Sequence, residues 1–207
     1  MVHQHPPAIF VADSPGLDFL NSIATPVDDI VDWLDNGEGL LNWLEQAKLV
    51  PNDALAALKK QVRPGELDKV AGQARDLRKW FRAFVVDHMG APLPGDLLGK
   101  FDPLNKILAR DEAFSRIVRG ENESARLELR PVRHWRNPET LLLPIAETLA
   151  KFVCEEDFSV VKACEGHNCT LMFADHTRRR ARRWCSMALC GNRAKQAAHR
   201  SRMKSLH

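Results

Sequence analysis

Four cysteines near the end of the chain limit what it can fold into. Cys164 and Cys169 enclose four residues, Cys185 and Cys190 enclose four more, and fifteen residues separate the two pairs. Two short loops of this kind, facing each other, supply the four thiolates in a tetrahedron that zinc favours. Gly166 and Asn168 are turn formers that let the first loop fold back on a metal. The 44 residues from Cys164 to His207 carry few large apolar side chains, so the metal is expected to be part of their fold. Four protein ligands leave no position for water, which predicts one structural Zn2+ ion and not a catalytic one. His167 lies inside the first loop and is the alternative ligand, although an all-thiolate set is the commoner closed site. Val160, Val161, Leu171, Phe173, Trp184 and Leu189 are expected to form the small core around the metal loops. Cys154, ten residues upstream in an apolar stretch, is expected to be a small core side chain.

Charge divides the chain in the same place. Of 30 lysines and arginines, ten lie between Cys164 and His207, opposed only by Glu165 and Asp175, a balance of +8. Residues 1–163 carry −5, so the whole-chain value of +3 conceals a basic end on a mildly acidic body. Such asymmetry points to a polyanion bound at the basic end. Arg178, Arg179, Arg180, Arg182 and Arg183 fill five of the six positions after Thr177, which is placed to N-cap a short helix. Crowded guanidinium groups repel one another, and phosphate, which they bind bidentately, is the natural counter-ion. A solvated charge run is the alternative. After Cys190 and Gly191 the residues favour helix. Asn192, Gln196 and His199 or Arg200 lie one turn apart on one face, Arg193, Ala197 and Arg200 form the adjacent line, and Lys195 and Arg202 add charge. Asn, Gln and Arg can read base edges, and a helix launched from a zinc site into a groove is an established docking geometry.

The first 155 or so residues read as mainly helical. A short strand is expected at Ile9–Ala12 and a buried helical turn at Asp18–Ile23, and two helices are expected between Val27 and Leu49, separated at Asn36–Gly39. Further helices are expected from Pro51 to about Val62, from about Gly65 to Met89, from Asp96 to Leu108 and from Glu139 to about Glu155. Alternating apolar and polar residues at Phe114–Arg119 and Ala125–Val132 predict a hairpin. The expected fold class is α+β, mainly α: a helical domain at 1–156 with a small antiparallel hairpin, then a four-cysteine zinc-finger module at 157–207.

Several function classes are excluded or unsupported. No apolar run approaches the roughly 18–20 residues that span a bilayer. Met1–Gly16 shows no basic segment followed by an apolar one, so a cytoplasmic location with reduced thiols is expected. No glycine-rich dinucleotide turn, phosphate loop, nucleophile–base pair or open metal site is visible, which argues against an enzyme. The acidic cluster Asp28, Asp29, Asp32, Asp35 and Glu38 reads as a solvated face, and His88 and His134 lack ligand-spaced companions.

Cys190-Gly191-Asn192-Arg193, preceded by Arg182-Arg183-Trp184-Cys185-Ser186-Met187, resembles the CGNR zinc finger. Leu171-Met172-Phe173-Ala174-Asp175-His176-Thr177-Arg178 resembles that family's Phe-x-Asp-x-Ser-Arg stretch, with Thr177 where serine is usual and Arg179 where asparagine is expected. Leu17-Asp18-Phe19-Leu20-Asn21-Ser22, with the Trp33-Leu34 and Trp43-Leu44 segments, is similar to the ABATE domain that accompanies this finger in bacterial proteins described as stress-induced transcription regulators. The resemblance implies zinc on Cys164, Cys169, Cys185 and Cys190 and double-stranded DNA as partner. The N-terminal domain would then sense a small-molecule effector or hold a partner protein. Two-fold-related half-sites would suit a homodimer, though no heptad stretch specifies one. The alternatives are an RNA-binding or ribosome-associated module, and a small-molecule-binding or enzymatic N-terminal domain localised by the finger.

Overall fold

The computed structural model describes residues 5–25, 29–120 and 126–204. The chain opens with an extended strap that enters a short helix, α1 (Pro15–Leu20), followed by the two-residue strands β1 (Ile23–Ala24) and β2 (Val31–Asp32). Helices α2 (Gly37–Gln46), α3 (Asn52–Gln61) and α4 (Glu66–His88) come next. Then α5 (Asp102–Leu108) leads to a hairpin, β3 (Ala113–Arg119) and β4 (Leu127–Arg133), and to α6 (Leu142–Glu155). The last part comprises β5 (Val161–Ala163), β6 (Met172–Ala174) and α7 (Asn192–Lys204). All three strand pairs are antiparallel. The fold is α+β and mainly α.

The long helix organises the core. Val70, Ala71, Ala74, Leu77, Phe81, Phe84 and Val85 recur at three- and four-residue steps and are buried along one stripe of α4. Phe81 meets Phe152 of α6 edge-on at 5.9 Å, and Phe84 meets Phe158 at the same separation. Each fully buried ring contributes about 2–3 kcal/mol. Asn36 caps α2 by accepting from the Gly39 amide at 2.9 Å. Gly37 lets α2 cross α4 closely, because a Cβ there would lie 2.3 Å from Cβ of Leu67.

The helices expected from Pro51 and Gly65 form as α3 and α4, and the expected hairpin forms as β3–β4, residues 121–125 lying outside the described part. Four expectations change. Residues 9–12 make no strand: the Ala12 amide donates to the Asp18 carboxylate at 3.1 Å, and the Val11 carbonyl accepts from Arg182 at 2.8 Å. The first of the two helices expected between Val27 and Leu49 is absent from 29–35, and 26–28 lie outside the described residues. There Val31–Asp32 pairs with Ile23–Ala24, while the Asp32 carboxylate turns back to the Leu34 amide at 2.9 Å. The helical turn expected at Asp18–Ile23 begins earlier, at Pro15, and ends before β1. Asp96–Leu108 forms a 3₁₀ turn at Leu98–Phe101 followed by α5, with Pro103 in the first helical turn.

The C-terminal segment packs into the same core as the helices. Phe158, Val160, Val161, Leu171, Met172, Phe173 and Ala174 are buried with the stripes of α1, α4 and α6. Asn21, fully buried, clips β6 in place: its Nδ2 donates to the Met172 carbonyl at 2.8 Å, and its Oδ1 accepts from the Met172 amide at 2.9 Å. The Ala174 amide donates to the Ala12 carbonyl at 2.9 Å. Replacing Asn21→Leu would strand both Met172 groups away from water, so a loss of about 2–4 kcal/mol is expected in denaturant melts.

Candidate metal centre and basic surface

The first cysteine loop grows out of the β5–β6 pair. Beyond β5, the Cys164 amide donates to the Leu171 carbonyl at 2.9 Å, and the Cys169 amide closes the loop on the Gly166 carbonyl at 3.0 Å. Asn168 takes the left-handed backbone conformation, φ 58°. Gly166 is required by its close neighbours, since a Cβ there would lie 2.7 Å from Sγ of Cys190. The second loop begins at Cys185 and runs into a π-helical turn, Met187–Gly191, in which the Gly191 amide reaches the Ser186 carbonyl at 3.1 Å. Ser186 caps that turn by accepting from the Leu189 amide at 3.0 Å, and α7 starts at the next residue, Asn192. The knuckle therefore launches the last helix.

Sγ atoms of Cys164, Cys169, Cys185 and Cys190 all lie within 4.8 Å of one another. Cys169 and Cys185 are 4.0 Å apart, and Cys185 and Cys190 are 3.7 Å apart. A tetrahedral ion with Zn–S bonds of about 2.3 Å spaces its sulfurs by roughly 3.8 Å, so the donor set and its size fit a zinc site. His167 is exposed and is not part of the cluster. Outer donors support negative sulfur: the Cys185 amide points at Sγ of Cys164 at 3.2 Å, and Nη2 of Arg193 at Sγ of Cys190 at 3.6 Å. Without a cation, Cys169, Cys185 and Cys190 oppose one another's ionisation. The Cys185 thiol donates to Cys169 and holds it down at about 5, while Cys185 itself is pushed up by giving that bond and by burial. Burial and the neighbouring Cys169 push Cys190 up to about 11. A divalent cation removes this conflict.

Val160, Val161, Leu171 and Phe173 are buried beside the cluster as expected, with Trp184 and Leu189 half-buried. Cys154, expected in the core, is exposed instead, on the opposite side of α6 from buried Phe152. Two residues are about 200° around a helix, so adjacent apolar residues do not all face the core.

The arginine run is not a helix. Asp175, fully buried, accepts from the Thr177 amide at 3.1 Å, from the Thr177 hydroxyl at 2.5 Å and from the Arg182 amide at 2.9 Å, and it pairs with Nζ of Lys162 at 2.7 Å. Burial alone would raise its pKa, but Lys162 and these donors hold the carboxyl well below the usual carboxylate range. Thr177 thus serves an Asp-centred turn instead of an N-cap, and residues 177–182 loop around one carboxylate. In the sequence Asp175 figures as a counter-charge and as the Asp of the Phe-x-Asp-x-Ser-Arg-like stretch; the signal for its turn is an Asp two residues before a Thr and ahead of a cationic run.

That loop sorts the arginines. Arg178 and Arg179 are exposed and carry no partner among the described residues. Arg180 reaches Ser159 at 3.2 Å and Asp157 at 3.3 Å, and Arg183 pairs with Glu165 at 2.6 Å; both remain exposed. Arg182, expected on the phosphate-facing surface, is engaged inside the protein. Its guanidinium lies 4.3 Å from the Phe173 ring centroid and donates to the carbonyls of Val11 at 2.8 Å and Trp184 at 3.0 Å. It also bonds the Cys185 carbonyl and the Asp13 carboxylate. One side chain therefore ties the strap, β6 and the second metal loop together. On α7, Arg193 is folded back onto the Leu189 carbonyl, and Asn192, Arg193, Gln196, Arg200 and Arg202 are exposed, with Lys195 among them along the same helix.

No helix of the described chain is long and apolar enough to cross a membrane. Among curated proteins, none matches the chain significantly. Family models match it in two consecutive blocks: residues 161–203 match the CGNR zinc finger. Residues 13–156 match a family described as "Putative stress-induced transcription regulator", so the chain belongs to the ABATE family and carries a CGNR zinc finger at its C-terminal end.

Proposed function

We propose that this protein is a non-enzymatic, DNA-binding transcription regulator of the bacterial cytoplasm, built around one structural zinc ion. The observation that carries this reading is the state of the charges beside the metal loops. Glu165 and Asp175, the segment's two carboxylates, are already used inside it, while Arg178, Arg179, Lys195 and Arg200 have no partner among the described residues. Helix α7 is exposed around most of its circumference, a helix with little reason to persist unless a polyanion lies along it. Arg178 and Arg179 grip backbone phosphates, and Asn192, Gln196 and Arg200 face the groove. The N-terminal helices hold the effector or partner that sets activity, and a two-fold operator would recruit two copies.

Anisotropy titration of a labelled duplex over a salt series tests this. Affinity is expected to fall steeply as salt rises, and Arg178→Gln/Arg179→Gln is expected to lower the log–log slope by about 1.8, about 0.9 for each phosphate no longer neutralised. Undetectable binding at low salt would overturn the reading. The RNA alternative lacks stacking platforms here: Phe173 is fully buried and Trp184 is packed against the metal loop.

A further inference from the structure

A second cationic site lies on α4. Arg75, Arg78, Lys79 and Arg82 recur at three- and four-residue steps and, with Ile23 and Asp76, line a cleft of about 330 Å³. Like charges at this spacing weaken a helix, so the cluster needs compensation. Arg78 alone of the four bonds a carboxylate directly: its Nη1 and Nη2 bind Asp32 at 2.8 and 2.6 Å, and Ser22 accepts a third bond at 2.8 Å. Arg75 has carbonyl partners only, Leu34 at 2.6 Å and Asp35 at 2.8 Å. Arg82 likewise reaches the carbonyls of Leu20 at 2.7 Å and Thr170 at 3.2 Å, and its buried Nε has no partner. Carbonyls orient a guanidinium without neutralising it. Burial and the adjacent Arg78 disfavour the charge on Arg82. Lys79 is exposed and unpaired among the described residues, and the one carboxylate lining the cleft is exposed Asp76.

We propose that this cleft is a binding site for a small phosphate-bearing anion. Three cations without a carboxylate in bonding contact line it, two of them planar forks held in place by backbone carbonyls, an arrangement matched to phosphate oxygens. The volume admits a phosphate and a small attached group, for which Ile23 provides an apolar wall. The site gives the N-terminal helices a ligand chemistry, and through Arg82 it touches Thr170, the residue after Cys169. It stands on its own geometry, so DNA binding could fail without touching it.

Calorimetric titration of the zinc-loaded, full-length protein with inorganic pyrophosphate, and separately with inorganic phosphate, tests the proposal. One saturable site is expected, weakened at least tenfold by Lys79→Glu and by Arg75→Gln and unchanged by Arg178→Gln/Arg179→Gln. Lys79 makes no bond that folding depends on, so its variant keeps the test interpretable if Arg75→Gln fails to fold. Absence of saturable binding overturns the proposal. So does binding that survives Lys79→Glu but disappears with Arg178→Gln/Arg179→Gln, which places the anion on the finger. If Lys79→Glu weakens duplex DNA as much as pyrophosphate, the cleft is part of the nucleic-acid surface and the small-anion site is likewise overturned.

Discussion

Chelating the metal from the purified protein is expected to unfold the cysteine loops and α7 while leaving the α4–α6 core folded. A structural zinc site supplies apparent binding free energies of about 10–16 kcal/mol at pH 7, far more than the small apolar set beneath these loops can replace. The helices keep their own stripes, with Phe81, Phe84 and Phe152 buried against one another. Elemental analysis should find one zinc per chain, and Cys185→Ser should abolish it. Thiol titration provides an internal control. Cys154 is exposed and outside the cluster, so the native protein should show one reactive thiol, and the chelated, denatured protein all five. Five fast thiols in the native state would refute a metal-filled site.

Asp175→Ala is expected to cost about 3–5 kcal/mol, the range for breaking a buried ion pair by removing one partner. The substitution leaves Lys162 facing no carboxylate and releases the amides of Thr177 and Arg182 together. Arg182 then loses the loop that aims it at the strap and at Cys185, so strap and second metal loop should loosen at once, visible as faster amide exchange at Val11–Asp13 and Cys185. Asp175→Asn isolates the charge. Because the folded carboxyl is held below its ordinary value of 3.8, its contribution is complete above about pH 4 and is lost as pH falls further. The variant should therefore lose the wild-type acid limb. Asp18 acts with the opposite sign: burial raises it to about 6, so its ionisation costs stability as pH rises from about 4 through 6. Comparing Asp175→Asn with the wild type at each pH cancels that contribution. An unchanged acid limb would show that Asp175 does not set it.

Local pattern carried much of the architecture. The stripe of α4, the Pro51 start of α3 and the alternation in β3–β4 need only neighbours a few residues away, so periodicity reveals them. The cysteine set was equally legible, because zinc imposes both residue type and short loop spacing. What stayed hidden depends on residues far apart in the chain. Arg182 looks like its neighbours in the run, yet only it meets Val11 and Asp13, some 170 positions away. Asn21 reads as an ordinary polar residue between apolar ones, and its role exists only because β6 docks 151 residues later. The β1–β2 pair displaced an apolar stretch with helical spacing because Asp32 is claimed by Arg78 of α4.

By itself, then, the amino-acid sequence determined the helices with long amphipathic stripes, the metal loops and the excess of positive charge at one end. Those follow from spacing along a few turns of chain. The tertiary structure alone decided which cations face solvent, which are locked inside, and that four of them share a cleft on α4. Whether a guanidinium is free or engaged depends on the carboxylates and carbonyls folding brings beside it, and no local pattern records those partners.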